Sequence, residues 1–434
     1  MSEKGGEGFS SVIGFILVTI GFAVGVGSFW RFPYVCGTNG GAIFILTYIL
    51  VILLIGIPLL AAEISIGFTT QKTASKAYKE LAPGTKWHLA SYLHVLVAVL
   101  IFSYTVPIYV WVLAYIWRTG TGFFVGMSPS DIAESFAALN GDYKTMFFFA
   151  ILNWGAIAAV VQGGLENGVE RLNKFLIPAL AVIMTVCIVI GFQVEGAVKG
   201  LHFLFDPNLE DFSLRSVTTA VGQAFFAIGI GMLAAMIFGS YIKNKDENIV
   251  KDSAVIGFAI VLAGVASGLM IFPMVFAFGL EPTSGVGLSL ITLPNVFNYV
   301  AFGRAIGVLF YVGFYFAAFS SAIGLCEAVA AVIMDSFGIS RRKAVAVCMG
   351  IGVAIGVPSI VVPGFLDVID NITGNYLLVI SGLLISIFVG WVWGVDNFIK
   401  AANIKNGFVK LWMMVTVKYL CPVAIASIFI GNFI

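Results

Sequence analysis

Two glycine clusters, one hydroxyl pair and a few charges inside apolar stretches are the residues of this chain whose types and spacing can do chemistry. Gly21-Phe22-Ala23-Val24-Gly25-Val26-Gly27-Ser28 and Ala227-Ile228-Gly229-Ile230-Gly231 each interrupt an apolar segment. Glycine costs about 1 kcal/mol against alanine in a helix interior, so such clusters invite unwinding. Close helix packing through Gly21-x-x-x-Gly25 is the plain alternative. Unwound backbone at mid-membrane depth offers carbonyl oxygens to a cation and free N–H groups to an anion. Ser320-Ser321 adds two adjacent hydroxyls, whose ordinary use is bonding back to their own helix. Arg31, Glu63, Glu327, Asp335 and Asp370 lie within or at the edges of apolar stretches, where a charge needs a partner or a water path.

The elements that must position these residues are membrane spans. Of 434 residues 60% are hydrophobic and 10% charged, whereas a soluble domain carries about 25% charged residues. Roughly 20 apolar residues cross a hydrocarbon core. By that measure eleven segments are expected, near 12 to 35, 41 to 67, 89 to 117, 146 to 162, 172 to 192, 217 to 241, 253 to 279, 304 to 335, 344 to 362, 371 to 395 and 412 to 431. The connection from 280 to 303 is itself apolar at Ile291, Leu293, Val296 and Phe297, which predicts short helices packed into a vestibule. The second glycine cluster falls in the sixth segment, five after the first, as two inverted five-helix repeats would place it.

With the N-terminus inside, sixteen Lys and Arg residues fall in inner segments and five in outer ones. The inner set is Lys4, Lys72, Lys76, Lys79, Lys86, Arg171, Lys174, Lys243, Lys245, Lys251, Arg341, Arg342, Lys343, Lys400, Lys405 and Lys410; the outer set is Arg118, Lys144, Lys199, Arg215 and Arg304. That asymmetry satisfies the positive-inside rule, and an odd number of spans puts the C-terminus outside. A formal net charge of +1 offers no basic field for nucleic acid. The five cysteines are scattered without C-x-x-C spacing and the three histidines are dispersed, so neither a disulfide framework nor a zinc site is indicated. No acid, nucleophile and base constellation suggests an enzyme.

Gly21 to Pro33 (GFAVGVGSFWRFP), Asn39-Gly40-Gly41, Gly56-Ile57-Pro58 with Glu63, Gly222-Gln223-Ala224-Phe225-Phe226 and Ser320-Ser321 together resemble the neurotransmitter:sodium symporter family, most closely its prokaryotic eleven-span members. The resemblance implies an all-α polytopic membrane protein with a 5+5 inverted repeat, the leucine-transporter-type fold, in which spans 1 and 6 are unwound. It divides the chain into a first repeat at 1–192, an outer connection at 193–216, a second repeat at 217–395, and an inner connection with span 11 at 396–434.

The same resemblance implies site residues. A sodium ion at the family's second site would meet the carbonyls of Gly21, Val24 and Ala317 and the hydroxyls of Ser320 and Ser321. The first site departs from the pattern: Ser28, Ala227 and Ile260 stand where the family usually has polar ligands, and Ala254 to Ala266 contains no side-chain oxygen, so this site is expected to be absent or very weak. Gly264 stands where the family carries an acid or chloride ligands, although Tyr48 and Gln223 of that cluster remain. The substrate would be lined by Ala23, Gly25, Val26, Gly27, Tyr104, Phe226, Gly229, Met232, Ser321 and Leu325. The tyrosine that normally bonds the substrate carboxylate falls at Thr105 by the register on Trp111, with Pro107 able to shift it to Tyr104.

Arg31 and Asp370 form the outer ion-pair gate by resemblance, with Phe226 as its aromatic lid. Tyr241 and Asp335 mark the inner gate; its N-terminal arginine is replaced by Gly6, with Lys4 as a weak substitute. Glu63 is expected to cap the unwound region and Glu327 to serve the inner pathway. Gly168 and Pro178 repeat the family's Gly-x9-Pro pattern, which lets span 5 unwind and admit water to the second sodium site; a static proline kink is the alternative.

These readings converge on a sodium-coupled symporter in the plasma membrane, the inner membrane of a prokaryote. It would move a small amino-acid-like solute by alternating access with one sodium. Gly25 stands where amine-transporting members have an acid, which favours a zwitterion, and Gly229, Gly324 and Met232 suggest room for a large apolar or aromatic side chain. A non-amino-acid amine or other small organic solute is the alternative, and a channel or sensor on the same fold a remote one.

Overall fold

The computed structural model describes residues 7–279, 285 and 287–431, and they are almost wholly helical. Among the described residues nine helices are long and apolar enough to span a bilayer: Ala42–Thr70, Trp87–Thr121, Tyr143–Gln162, Leu165–Gly191, Ile249–Ala277, Gly303–Phe337, Arg341–Val361, Phe365–Val392 and Gly407–Ser427. They are spans 2, 3, 4, 5, 7, 8, 9, 10 and 11. Span 1 is the bent pair Val12–Ala23 and Gly25–Gly37, whose axes differ by 48°. Span 6 is split into Leu214–Ile228 and Ala234–Ser240, each too short to cross alone. Asp370 therefore lies inside span 10, which starts earlier than expected.

Both breaks have local causes. In span 1 the helix ends at Ala23 and the chain continues as a wide π-type turn from Gly25 to Arg31, entering the next helix through Pro33, whose ring is tolerated in a first turn. In span 6 Gly229 and Gly231 adopt φ of +74° and +78°, which a Cβ would resist. Leu233 follows at φ +69°, a conformation costing about 1–3 kcal/mol for such a residue. Glu63 of span 2 compensates in part: its fully buried Oε2 accepts the Gly231 N–H at 2.9 Å, satisfying a donor the break has freed.

Span 2 and the second half of span 6 touch backbone to backbone. A Cβ on Gly67 would lie 1.8 Å from the Met236 carbonyl oxygen, and one on Gly239 would lie 2.2 Å from that of Ile64. Span 8 is the interior helix, with 89% of its most apolar window buried against 28% for spans 5 and 11. The latter leave Phe175, Val182 and Val423 on the outside, where lipid is their solvent. The connection after span 7 folds as Leu288–Thr292 and Leu293–Phe297, docked by hydroxyls of Tyr115 and Tyr311 on the carbonyls of Leu290 and Ser289.

Candidate functional site

Span 8 brings its hydroxyl pair against the break in span 1. Ser320 Oγ lies 2.6 Å from the Gly21 carbonyl oxygen and 2.8 Å from that of Ala317, within hydrogen-bond reach of both. Ser321 Oγ donates to the Phe22 carbonyl. Three of the five expected cation ligands thus converge, and Ser321 faces the same stretch of span 1 through a different carbonyl. Gly25 allows the approach, since a Cβ there would lie 1.7 Å from Ser321 Oγ. Unwinding and close packing are therefore not alternatives here, because the same glycines do both.

The glycines expected to open the substrate pocket have another occupant. A Cβ on Gly229 would meet the Phe22 ring at 2.3 Å and one on Gly324 would meet it at 3.1 Å, so Phe22 fills the space between spans 6 and 8. Room attributed to Gly229 and Gly324 is taken by a side chain of the protein itself. Ala23, Gly25, Val26, Gly27, Met232 and Leu325 are buried around the two breaks, which approach so closely that a Cβ on Gly27 would lie 2.8 Å from Ala227 Cα.

Span 3 settles its register differently from either expectation. Pro107 lacks an N–H, and the helix breaks at Thr105. Thr105 Oγ1 is bonded to the Ile101 carbonyl and to Tyr109 Oη. Tyr104 is buried, and its hydroxyl donates to Asp370 Oδ1 at 2.7 Å. Arg31 and Asp370 do not form an ion pair among the described residues; the Arg31 guanidinium instead stacks 4.6 Å from the centre of the Phe226 ring. The pair expected to form the outer gate thus makes no ion pair among the described residues, and Asp370 borders a cavity of about 520 Å³ together with Trp30, Tyr104, Trp111, Phe226 and Asp367.

At the position of the first cation site Ser28, Ala227 and Ile260 are all buried. Ala227 and Ile260 offer no side-chain oxygen, and the nearby carbonyls of Gly27, Ser28 and Gly264 accept side-chain hydrogen bonds. Gln223 donates to Gly27 O at 2.8 Å, and Ser267 Oγ lies 2.8 Å from Ser28 O and 2.7 Å from Gly264 O. Ser267 lies one residue beyond the stretch without side-chain oxygens, which is why the sequence reading missed it. The hydroxyls of Ser28 and Tyr48 are buried without partners among the described residues.

On the face carrying the N-terminal segment, a cation that the resemblance did not name holds a buried acid. Lys4 and Gly6 lie outside the described residues. Arg341, at the start of span 9, holds the buried Glu327 carboxylate with Nη1–Oε2 2.6 Å and Nη2–Oε1 3.0 Å, and also binds Glu7. Tyr241 Oη donates to Glu327 Oε1 at 2.9 Å. Beneath this network Phe9, Phe238 and Phe22 continue an edge-to-face aromatic column towards the breaks. Asp335 is not part of it: its carboxylate accepts from Thr73 at 2.7 Å and pairs with Lys76 at 2.7 Å. The lone Arg-Arg-Lys run at 341–343 reads from sequence as a topology signal, which hid this role of Arg341.

In span 5 Gly168 lies in a wide turn, Leu165–Glu170, and Pro178 lies within the helix that follows. A Cβ on Gly168 would lie 2.0 Å from the Val160 carbonyl oxygen, so the glycine also serves close packing on span 4.

Comparisons with known proteins agree with this architecture. The family model described as the sodium:neurotransmitter symporter family matches residues 6–124 and 140–434. An uncharacterized sodium-dependent transporter, YhdH of Bacillus subtilis strain 168, is 31% identical over 99% of this chain and 98% of its own. One from Haemophilus influenzae is 29% identical over 99% of both. Among solved structures, MhsT in complex with L-phenylalanine superposes with a TM-score of 0.90 at 32% identity, covering 99% of this chain and 100% of the other.

Proposed function

Because the chain belongs to the sodium:neurotransmitter symporter family, and is therefore a membrane transporter and not an enzyme, we propose that it couples inward movement of one amino acid to one sodium ion held between spans 1 and 8. The observation that carries this reading is the placement of Ser320 Oγ between the carbonyls of Gly21 and Ala317 beside the broken helix. Neutral oxygens suit a monovalent cation, whose release must not be prevented by a carboxylate. Gly21, Val24, Ala317, Ser320 and Ser321 are the assigned ligands. The first site is silent, because Ala227 and Ile260 supply no side-chain oxygen where the family usually has polar ligands.

The substrate sits between the breaks, its carboxylate facing the N–H groups of the span 1 turn and its side chain towards Phe226, Met232 and Leu325. The similarity to a structure that holds L-phenylalanine supports an amino acid with a large apolar or aromatic side chain. Arg31, Asp370 and Phe226 close the outer path, and Tyr241 with Glu327 and Arg341 the inner one. Asp335 keeps the gating role the resemblance gave it only through its pairing with Lys76. Unwinding between Gly168 and Pro178 opens the water path to the cation. The two repeats are 1–192 and 217–395, with the N-terminus cytoplasmic and the C-terminus outside on the strength of the loop charges.

A sodium gradient supplies the free energy, about 2.3 kcal/mol per charge per 100 mV plus the concentration ratio. Purified protein in liposomes should accumulate radiolabelled L-phenylalanine only under an inward sodium gradient. The double variant S320A/S321A should lose this dependence. Equal accumulation with and without the gradient would refute the proposal.

A further inference from the structure

Gly21 has a second oxygen beside it, from neither span 1 nor span 8. A Cβ built on Gly21 would lie 2.1 Å from Oδ1 of Asn173 on span 5. Asn173 is wholly buried, and its Nδ2 donates to the Val169 carbonyl at 2.9 Å, which assigns the two ends of the amide. Its Oδ1 has no hydrogen-bond partner among the described residues. A buried acceptor left without a donor calls for an explanation, and this one is aimed at the residue whose carbonyl meets Ser320.

The pattern recurs one turn along span 5. Glu170 is 1% exposed, and a Cβ on Gly14 would lie 1.9 Å from its Oε1. Its carboxylate accepts the Ser10 N–H at 2.9 Å and the Ser10 hydroxyl, and pairs with Lys174 at 2.7 Å, whose side chain is 40% exposed. Residues 170 and 173 share a face of span 5, and Gly14 and Gly21, two turns apart, share a face of span 1. Glycine on one helix thus stands opposite oxygen on the other at two successive levels, leading from the Ser320 cluster to the N-terminal face.

We propose that Asn173 Oδ1 is a sodium ligand outside the resting site, a transfer position that receives the ion as it leaves Gly21, Ala317 and Ser320, with Glu170 next at the mouth of the path. The inference rests on the assignment of sodium to that cluster. Asn173 is tied through Nδ2 to Val169, inside the wide turn Leu165–Glu170. Opening that turn frees the amide to follow the ion. At the mouth Lys174 competes with sodium for Glu170, so the acid attracts the ion without trapping it.

The test uses radiolabelled sodium on purified protein, measuring equilibrium binding and the rate of release on dilution. N173A should bind with Kd within about threefold of wild type and release sodium about tenfold more slowly, since it lacks only the transfer ligand. N173D, which puts a carboxylate at the same place, should tighten Kd about tenfold. Release from N173A within about twofold of wild type, together with an unchanged Kd in N173D, would overturn the inference. S320A should abolish binding; if it binds sodium like the wild type, the assignment of the resting site fails, whatever the Asn173 variants show.

Discussion

Replacing Arg341 with glutamine is the sharpest test of how the face carrying the N-terminal segment is held shut. Glu327 has no exposed side-chain surface, and Arg341 is only 14% exposed, so this is a buried, bidentate pair. Removing one partner of such a pair leaves an uncompensated charge and costs about 3–5 kcal/mol. Tyr241 would remain as a single donor to the carboxylate. The carboxylate regains full solvation only by meeting water, and it meets water only if the network opens. Even 3 kcal/mol shifts a closed–open equilibrium by about two decades. The five cysteines are all buried, and Cys326 and Cys348 lie beside this network with sulfurs 3.7 Å apart. In a background lacking Cys36, Cys187 and Cys421, their labelling by a maleimide reports opening. R341Q should raise the labelling rate about a hundredfold, and E327Q/R341Q, which removes both charges, should return it to within about fivefold of the parent. Labelling of R341Q within about threefold of the parent would refute the idea that Arg341 is the closing cation.

Three further outcomes follow from the geometry. F22A should release the volume between Gly229 and Gly324 to the solute and raise uptake of L-tryptophan relative to L-leucine about tenfold or more in competition assays. A sodium titration of uptake should give a Hill coefficient near one, and A227T should leave it there, because one restored hydroxyl still leaves the apolar Ile260 in place of a polar ligand; a coefficient near two in the wild type would disprove the loss of the first site. G231A should lower thermal stability by about 1 kcal/mol or more, since φ there is +78° and a Cβ would lie 2.7 Å from Ser381 Oγ. Unchanged melting would contradict that.

Glycine clusters made the breaks in spans 1 and 6 legible, because a missing side chain in an apolar helix has few purposes at mid-membrane depth. Ser320 and Ser321 were legible for the same reason: paired hydroxyls opposite a break have somewhere to point. Arg341 was not, since a charge at a loop is equally at home in water, and only the fold shows Glu327 beneath it. Phe22 was hidden among apolar neighbours, and the emptiness expected at Gly229 and Gly324 is a property of three residues that touch only in the folded chain. Tyr104 and Thr105 could not be ordered from spacing, because Pro107 interrupts the helical period on which the register depends. Asp335 was placed at the inner gate by its position at the end of span 8, and its partners Thr73 and Lys76 come from a distant loop.

The backbone contact at Gly67 and Gly239 has a mechanical consequence. With no side chain between span 2 and the second half of span 6 at those two points, they cannot slide or tilt against each other without collision. They form one lever, and in the proposed alternating-access cycle any swing of span 6 would be absorbed by the five residues from Gly229 to Leu233. A joint that short converts a small displacement of the bound solute into a large excursion at the far end of span 2, beside the loop that carries Lys76.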